Sequence, residues 1–363
     1  MQQSKICLIG NSFSNGGANK IHAVLSNYFF RQNFEVHNVI FIDKITYEFS
    51  GELLNLSKSE TDSNKYINLF KRCWTLKRFL KANNFDFIID FRNRNHDFQE
   101  YIFTKLLYKT PFIITVHSYN LDWYFPKDRF LAKSIFSKAF GIVAVSNEIE
   151  QKIKKDYGYK NVSTIYNPLE LEKIENLSQE NINLNFEFVL GVGRMVFDNN
   201  KQFDLMIEAY SLSDLPAKNI KLVLLGDGEQ KKHLENLVIS KNLKDKIVFS
   251  GFQNNPFPYF KKAKFTLLTS KYEGLPNTIA ESLACGTPVI SFDCLSGPKE
   301  LISDKNNGLL IENQNLEKFV LGINEMLKNE NLYQFCKDNS KKSIQKFEMN
   351  IIGNQWLNYL KEK

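Results

Sequence analysis

The chain has 363 residues, of which 43% are hydrophobic and 24% charged, the balance of an ordinary globular protein. This length excludes a single small core and suits two domains of roughly 150–200 residues each. The net charge is +7; residues 1–167 hold 23 Lys and Arg against 15 Asp and Glu, and the remainder holds 24 against 25. This asymmetry fits an anionic partner of the first half, and it fits equally a set of solvated lysine-rich helices.

Five cysteines are scattered along the chain without a CxxC pair, at positions 7, 73, 285, 294 and 336. An odd, irregular set favours reduced thiols in a cytoplasmic protein over a disulfide framework. The apolar run in KICLIG (5–10) is too short for a signal peptide and is predicted as the first strand. No window approaches the ~20 apolar residues of a membrane span.

Short apolar runs alternate with amphipathic segments along the whole chain. In the first half, strands are predicted at 5–10, 35–42, 85–91, 112–117 and 141–146, and helices at 19–32 and 66–84. The pattern restarts in the second half, with strands at 188–194, 221–229, 246–252, 265–270 and 288–293, a helix at 201–213 and a last helix near 345–362. Runs that are apolar on both faces are typical of buried parallel strands.

This alternation predicts an α/β protein made of two doubly wound, Rossmann-like domains. Pro168 forces the preceding residue into an extended conformation, so the linker is predicted at 166–168. The predicted domains are therefore 1–167 and 168–345, with the final helix, about 346–363, packing back on the first. Ligands of open α/β sheets bind beyond the carboxyl ends of the strands, so we expect the site residues just after each strand, in a cleft between the domains.

Three glycine-containing loops follow predicted strands. Gly16 and Gly17 open the first helix in NSFSNGGANK, where free amides favour an anion. GVGRMVFDNNK carries Arg194 and Lys201, and two cations on one loop would suit a diphosphate. Gly-Asp-Gly at 226–228 ends a further strand. Each segment alone is equally well explained as a turn with solvated side chains. None matches GxGxxG or a P-loop.

His117 ends the predicted strand at 112–117, where it would face the cleft or fill a structural role. The other histidines lie far apart, and with no paired cysteines we predict no metal site.

Two glutamates lie eight positions apart in YEGLPNTIAESLACGTPVIS, where Glu273 falls in a loop after a predicted strand. Asn277 is predicted to cap a helix that runs to about Cys285, so Glu281 lies in that helix. The amides at the start of this helix would favour a phosphate. Taken alone, the segment is also compatible with an acidic loop and an acidic first helical turn.

Together, these motifs resemble those of the retaining glycosyltransferases of family 4, which have the GT-B fold. The most specific match is E-x7-E as EGLPNTIAE, followed by SLACGTPVIS; the GGA loop, GxGR…K, GDGE and FSGF occur in the family's order. The resemblance covers nearly the whole chain and is stronger in its second half. It implies transfer of a hexose or N-acetylhexosamine from a nucleotide-diphosphate sugar, UDP-linked, to a glycan or polyprenyl-linked acceptor. This activity belongs to cell-surface polysaccharide or glycoconjugate biosynthesis.

The resemblance also implies roles for individual residues. Arg194 and Lys201 would neutralise the diphosphate in place of a metal, so no cofactor is expected. Glu273 and His117 would contact the transferred sugar, and Glu281 would accept hydrogen bonds from the ribose. The catalytic set implied is Glu273, His117, Arg194 and Lys201. The donor-binding set is Gly17, Gly193, Arg194, Lys201, Gly226, Phe252, Glu273, Gly274, Leu275, Pro276, Asn277 and Glu281.

Two departures from the family pattern concern the donor loops. The spacing from Arg194 to Lys201 is about two residues longer than in many members. After Gly17 the chain has Ala-Asn-Lys where many relatives have Ala-Glu-Arg.

Acceptors in this family are often lipid-linked, which implies a cytoplasmic protein that acts at the inner face of the membrane. The basic segment FKRCWTLKRFLK (70–81), with Phe70, Trp74 and Phe79, could contact an anionic bilayer. Arg92 and Arg94, which follow another strand, are candidates for an acceptor phosphate. A nucleotide-sugar 2-epimerase of the same architecture and a non-catalytic nucleotide-sugar-binding protein are the alternatives. Nucleic-acid binding is not expected, because no recognition motif is present.

Overall fold

The computed structural model of the protein describes residues 3–14, 16–59, 64–198 and 200–361. The chain divides into two compact units. The first unit holds the chain up to Pro168 together with the segment from Asn350 onward, and the second unit holds Leu169–Met349. The predicted linker at 166–168 lies beside this division.

The first unit contains a parallel sheet of seven strands in the order β3-β2-β1-β4-β5-β6-β7. The strands are β1 (Lys5–Gly10), β2 (Glu35–Ile40), β3 (Glu52–Asn55), β4 (Phe87–Asp90), β5 (Phe112–Val116), β6 (Gly141–Ala144) and β7 (Val162–Thr164). Most of their apolar side chains are fully buried, as expected of a sheet covered on both faces. The short strands β3 and β7 lie at the two edges.

Helices of the first unit follow its strands. They are α1 (Gly17–Arg31), α2 (Lys65–Asn83), α3 (Asp97–Ile102), α4 (Arg129–Phe136) and α5 (Asn147–Tyr157). A π-helical turn at Phe103–Leu107 continues α3, and short 3-10 turns lie at Leu56–Ser59 and Leu121–Trp123. Ser146 caps α5 by accepting a hydrogen bond from the amide of Ile149, and Gly158 ends it in a left-handed conformation.

The second unit contains a parallel sheet of six strands in the order β10-β9-β8-β11-β12-β13. The strands are β8 (Phe188–Val192), β9 (Lys221–Leu225), β10 (Ile247–Gly251), β11 (Thr266–Leu268), β12 (Val289–Phe292) and β13 (Gly308–Ile311). In both sheets the strand order reverses next to the first strand, β1 or β8. Such a reversal creates a crevice at the carboxyl ends of the strands where ligands bind.

Helices also alternate with the strands of the second unit. They are α6 (Leu171–Leu177), α7 (Phe203–Leu212), α8 (Lys231–Ser240), α9 (Phe257–Lys262), α10 (Asn277–Ala284), α11 (Pro298–Leu301), α12 (Leu316–Lys328) and α13 (Glu330–Ser343). A continuous apolar core, which includes Val189, Leu222 and Ile290, joins this sheet to its helices.

The last helix, α14 (Met349–Lys361), packs on the first unit. Gly353 permits close contact with α1, because a Cβ atom there would lie 2.2 Å from the ring of Tyr28. Gly141 similarly leaves room for the hydroxyl of Tyr359.

No helix within the described ranges is long and apolar enough to cross a membrane. The predicted fold class, two Rossmann-like α/β domains, is confirmed.

Candidate active site

The backbone at the ends of β8 and β9 is tightly packed. Gly193 donates its amide to the carbonyl of Leu225 (3.0 Å), and Gly226 donates to the carbonyl of Gly251 (2.8 Å). Gly226 has φ of +129°, and a Cβ atom there would lie 1.8 Å from the carbonyl oxygen of Gly193. Only glycine fits this position, so the two glycine motifs of the sequence hold neighbouring loops together.

Gly193 also makes room for Lys201. A Cβ atom at Gly193 would lie 3.0 Å from Cγ of Lys201, so the aliphatic stem of the lysine runs over this glycine. The Nζ atom of Lys201 lies 2.5 Å from Oε1 of Glu273, and the two side chains are 21% and 12% exposed. The structure thus brings together two predicted catalytic residues that are 72 positions apart in the chain.

Arg194 differs from Lys201, although both lie on the loop between β8 and α7. Its side chain is exposed and makes no hydrogen bond or ion pair with any residue that the structure describes. The next residue, Met195, is buried and donates its amide to the carbonyl of Asp227 (3.0 Å). The backbone beside Arg194 is therefore anchored while its guanidinium group stays in solvent.

Asn200 joins the loop of Lys201 to the loop of Glu273. Its side chain donates to the carbonyl of Tyr272 (2.9 Å) and accepts from the amide of Tyr272 (3.3 Å). Thr269 adds hydrogen bonds of 2.9 Å to the carbonyls of Lys201 and Gln202. Neither residue could be recognised from the sequence, because a polar side chain that bonds to backbone has the same sequence pattern as a solvated one.

The loop of Glu273 is also fixed from the side of β12. Glu273 donates its amide to the carbonyl of Leu295 (2.9 Å), and Ser296 donates its hydroxyl to the carbonyl of Gly274 (2.8 Å). Gly297 has φ of +98°, and a Cβ atom there would lie 2.6 Å from the carbonyl oxygen of Gly274. Leu275 and Pro276 are buried. The loops after β8, β11 and β12 thus form one connected surface.

Helix α10 begins one residue earlier than predicted. Pro276 occupies the N-cap position, and Asn277 is the first helical residue, so the prediction that Asn277 caps the helix was wrong. Proline has no side-chain oxygen, and it makes no side-chain cap hydrogen bond. Glu281 lies in the second turn and is 8% exposed.

The residues after Glu281 have structural roles. Gly286 takes φ of +82° just past the end of α10. The hydroxyl of Ser282 donates to the carbonyl of Thr287 (2.9 Å), and that of Thr287 donates to the carbonyl of Phe260 (2.6 Å). The motif SLACGTP therefore joins the end of α10 to α9. At the other side of this sheet, Phe252 follows β10 and its ring is half exposed.

His117 lies in the first unit, directly after β5. Its Nε2 atom is 3.0 Å from the hydroxyl oxygen of Thr115, and its Nδ1 atom has no hydrogen-bond partner among the residues described. Burial lowers the pKa of His117 to about 3, and the charge of Arg94 lowers it as well. The imidazole is therefore neutral near pH 7 and can bind a ligand only as a hydrogen-bonding group.

Arg92 and Arg94 are both buried, at 2% and 1% exposure, which corrects the prediction that they meet an acceptor phosphate. Arg92 donates through Nη2 to Asp90 Oδ2 (2.6 Å) and to Glu100 Oε2 (3.1 Å). Arg94 donates to the backbone carbonyls of Asp90 (2.7 Å) and Thr115 (3.2 Å). Their guanidinium groups bind the protein itself.

Burial acts to raise the pKa of Asp90, but the charges of Arg92 and Arg94 outweigh it and hold that pKa below its usual value. Burial raises the pKa of Glu100 against the opposing charge of Arg92. The carboxylates of Asp90 and Glu100 thus bind Arg92, one of the two arginines that were predicted to contact an acceptor.

The GGA loop also bonds internally. Gly16 is the N-cap of α1 with φ of +106°, and Gly17 is the first helical residue. The side chain of Asn19 donates to the carbonyl of Ser14 (2.7 Å) and to the hydroxyl of Ser12 (3.1 Å). Asn19 therefore holds its own loop, which gives this departure from the family pattern a structural role.

Within the described ranges, no group of three or more His, Cys, Asp and Glu side chains could hold a metal ion.

Comparisons with known proteins identify the family of the chain. The model of the family "Glycosyltransferase Family 4" matches residues 15–173, and that of "Glycosyl transferases group 1" matches residues 172–343. The chain is 30% identical over 361 residues to a Campylobacter jejuni enzyme, N-acetylgalactosamine-N,N'-diacetylbacillosaminyl-diphospho-undecaprenol 4-alpha-N-acetylgalactosaminyltransferase, covering 96% of this chain and 97% of that one. The chain therefore belongs to glycosyltransferase family 4, and the protein is a glycosyltransferase.

A second Campylobacter jejuni enzyme is 29% identical over 371 residues, covering 99% of this chain and 98% of that one. It is the GalNAc-alpha-(1->4)-GalNAc-alpha-(1->3)-diNAcBac-PP-undecaprenol alpha-1,4-N-acetyl-D-galactosaminyltransferase. Among solved structures, Anabaena Alr3699/HepE in complex with UDP and glucose matches with a TM-score of 0.81 at 18% identity, covering 99% of this chain and all of that one. This match supports the GT-B fold.

Proposed function

We propose that the protein transfers an N-acetylhexosamine or hexose from a UDP-sugar to a polyprenyl-diphosphate-linked glycan, with retention of anomeric configuration, in cell-surface polysaccharide or glycoconjugate biosynthesis. The observation that carries this proposal is the set of Arg194, Lys201 and Glu273 on connected loops at the carboxyl edge of one sheet. The two Campylobacter relatives act on undecaprenol-linked acceptors with N-acetylgalactosamine, which favours the same classes of donor and acceptor here.

The chemistry follows from the charges. When the bond between the anomeric carbon and the diphosphate oxygen breaks, negative charge builds on the leaving group. Arg194 and Lys201 are cations on the loop after β8 that would stabilise this charge, and the start of α10 would add its dipole. The acceptor oxygen attacks from the same face, and its proton passes to the departing phosphate. Retention then needs no carboxylate nucleophile.

Glu273 and Glu281 would serve the donor in different ways. Glu273, paired with Lys201, would accept hydrogen bonds from the sugar hydroxyls. Glu281, one helix turn inside α10, would accept from the ribose. His117, neutral near pH 7, would bind a sugar hydroxyl, and Gly17 would allow the first loop to approach the phosphates.

The activity is tested with purified protein, UDP-N-acetylgalactosamine or UDP-N-acetylglucosamine and a synthetic polyprenyl-diphosphate-linked disaccharide. We expect an elongated product by mass spectrometry and an α-anomeric proton by NMR. Failure with these and with the UDP-hexoses would contradict the proposal. NMR without acceptor distinguishes the 2-epimerase, which would convert the nucleotide sugar itself.

A lipid-linked acceptor also requires contact with a membrane surface, and α2 has exposed residues that could make this contact. Phe70 and Trp74 are 71% and 52% exposed, and the guanidinium of Arg78 lies 4.6 Å from the centre of the Trp74 ring. Phe79, predicted with them, instead packs against His37 and Phe85. An exposed aromatic and basic helix face suits an anionic bilayer.

Co-sedimentation with vesicles that contain phosphatidylglycerol tests this contact. We expect binding that is lost in Trp74→Ala and at high salt, and no binding to neutral phosphatidylcholine vesicles. Phe335→Ala, an exposed phenylalanine on α13 in the second unit, is the matched control. Equal binding by the Trp74 variant would remove α2 from the proposal.

A further inference from the structure

The two cations of the β8 loop differ in what already neutralises them. Glu273 holds Lys201 through an ion pair of 2.5 Å, and both side chains are largely shielded from solvent. Arg194 is exposed and has no such anion among the described residues. A diphosphate can therefore bind Arg194 directly, whereas it must compete with Glu273 for Lys201.

Resting on the function proposed above, we infer that Glu273 makes the site select the loaded sugar nucleotide over the spent nucleoside diphosphate. Both ligands bring a diphosphate that draws Lys201 away from Glu273. Only the loaded donor also brings sugar hydroxyls, which can donate hydrogen bonds to the displaced carboxylate. With the spent nucleotide, Glu273 is left half-buried beside a second anion without a new donor, and such groups are costly.

The geometry prevents Glu273 from avoiding this competition by moving away. The amide of Glu273 donates to the carbonyl of Leu295, and the preceding Tyr272 both accepts a hydrogen bond from the side chain of Asn200 and donates one to it. The lysine is held equally well, because its stem runs over Gly193 and its carbonyl accepts from Thr269. The backbone of both loops is thus fixed, and only the charged ends of the Lys201 and Glu273 side chains can change partner.

This exchange has a consequence for turnover. Once the sugar has left, the hydroxyls that satisfied Glu273 are gone, and Lys201 regains its partner as the diphosphate leaves. Arg194 contributes affinity to donor and product alike, because no anion among the described residues competes for it. Glu273 therefore favours product release, in addition to its contact with the sugar.

Calorimetric titration with UDP and with UDP-N-acetylgalactosamine tests the inference in Glu273→Gln, which keeps the shape of the side chain and removes its charge. We expect UDP to bind about tenfold more tightly than to the wild type, and the sugar nucleotide to bind equally or more weakly. Glu281→Gln is the matched control, which should weaken both ligands alike. Unchanged or weaker UDP binding by Glu273→Gln overturns the inference.

Two further measurements test whether tighter UDP binding comes from the exchange of Lys201 between Glu273 and the diphosphate. In a Lys201→Ala background, the gain in UDP affinity from Glu273→Gln should become small, because Lys201 is no longer there to exchange partners. An unchanged gain in UDP affinity contradicts the exchange. Glu273→Asp keeps the charge and should keep weak UDP binding, which tests the idea even if Glu273→Gln folds poorly.

A wild type that binds neither UDP nor the sugar nucleotide would refute the proposed donor itself, whereas normal donor binding with no change in Glu273→Gln refutes the exchange alone.

Discussion

Charged side chains follow the strands of both sheets, yet the two edges use them in opposite ways. After β4 in the first sheet, Arg92 is buried between Asp90 and Glu100 and donates to both. After β8 in the second sheet, Arg194 is in solvent and Lys201 has a single anionic partner. An arginine at a strand end is thus structural where the fold supplies its anions, and is available to a ligand where the fold does not.

The largest effect is expected from removing Arg92. Arg92→Ala leaves two carboxylates buried without their cation, so we expect the free energy of unfolding to fall by about 3–5 kcal/mol. Chemical denaturation measures this change. The matched control is Arg129→Ala, whose exposed guanidinium donates to the carbonyl of Lys155. A variant of normal stability that fails only with particular acceptors would reverse our assignment of the first edge.

Arg194→Ala should lower activity and leave stability unchanged, the opposite of what we expect for an arginine that the fold neutralises. We expect kcat/KM for sugar transfer to fall about 10²–10³-fold, because the cation that we propose for the departing diphosphate is lost. The free energy of unfolding should stay within about 0.5 kcal/mol of the wild type, since the side chain has no partner among the described residues. Arg194→Lys should recover part of the activity. Full activity in Arg194→Ala would show that Arg194 does not act on a ligand and so does not differ from Arg92 in this respect.

The pH dependence of stability probes the first edge again. Burial lowers the pKa of His22 to about 3, although the hydrogen bond with Asn38 and the charge of Asp90 raise it. The unfolded chain binds a proton on His22 below pH ~6.5 and the folded chain does so only near pH 3. Stability is therefore present above pH ~6.5 and is lost as the pH falls towards 3, at about 1.4 kcal/mol per pH unit for each such histidine.

His117 contributes in the same direction, because its pKa is also lowered to about 3. Denaturation between pH 4 and 7 should therefore show a slope that His22→Gln reduces by one histidine's share. His233→Gln, on the exposed face of α8, is the control substitution. An equal slope in His22→Gln would mean that this ring is protonated in the fold.

The smallest effect concerns the backbone of the second edge. Gly226→Ala would place Cβ against the carbonyl of Gly193, so we expect a loss of about 1–3 kcal/mol in the free energy of unfolding and weaker UDP binding. Gly251→Ala is the control, because Gly251 also has positive φ but its Cβ would meet open space. Similar losses in both variants would show that φ alone matters, and that the contact of the two loops does not.

The strands and the donor motifs could be predicted from sequence because each depends on local information. Apolar runs revealed ten of the thirteen strands described, and the family pattern identified Lys201 and Glu273. The short edge strands β3, β7 and β13 escaped because few residues carry their pattern. The burial of Arg92 could not be predicted, since it depends on Glu100, which α3 brings to it from the next segment of the chain.

Local rules also failed where two candidates were adjacent. Asn277 is a favoured capping residue, yet Pro276 takes that position because the preceding loop is fixed through Gly274 to Ser296. Local rules also gave no signal for Asn200. Its importance arises entirely from Tyr272, which lies 72 residues further along the chain.

The placement of α14 has a consequence for the order in which the protein folds during synthesis. The second unit, Leu169–Met349, is complete before the last helix has been made. The first unit has its whole sheet much earlier, but it must wait for Gly353 to meet Tyr28 and for Tyr359 to reach Gly141. We therefore expect that a ribosome-bound chain lacking its last helix carries a finished second unit and an unfinished first one, whose uncovered apolar surface is the part that a chaperone would bind.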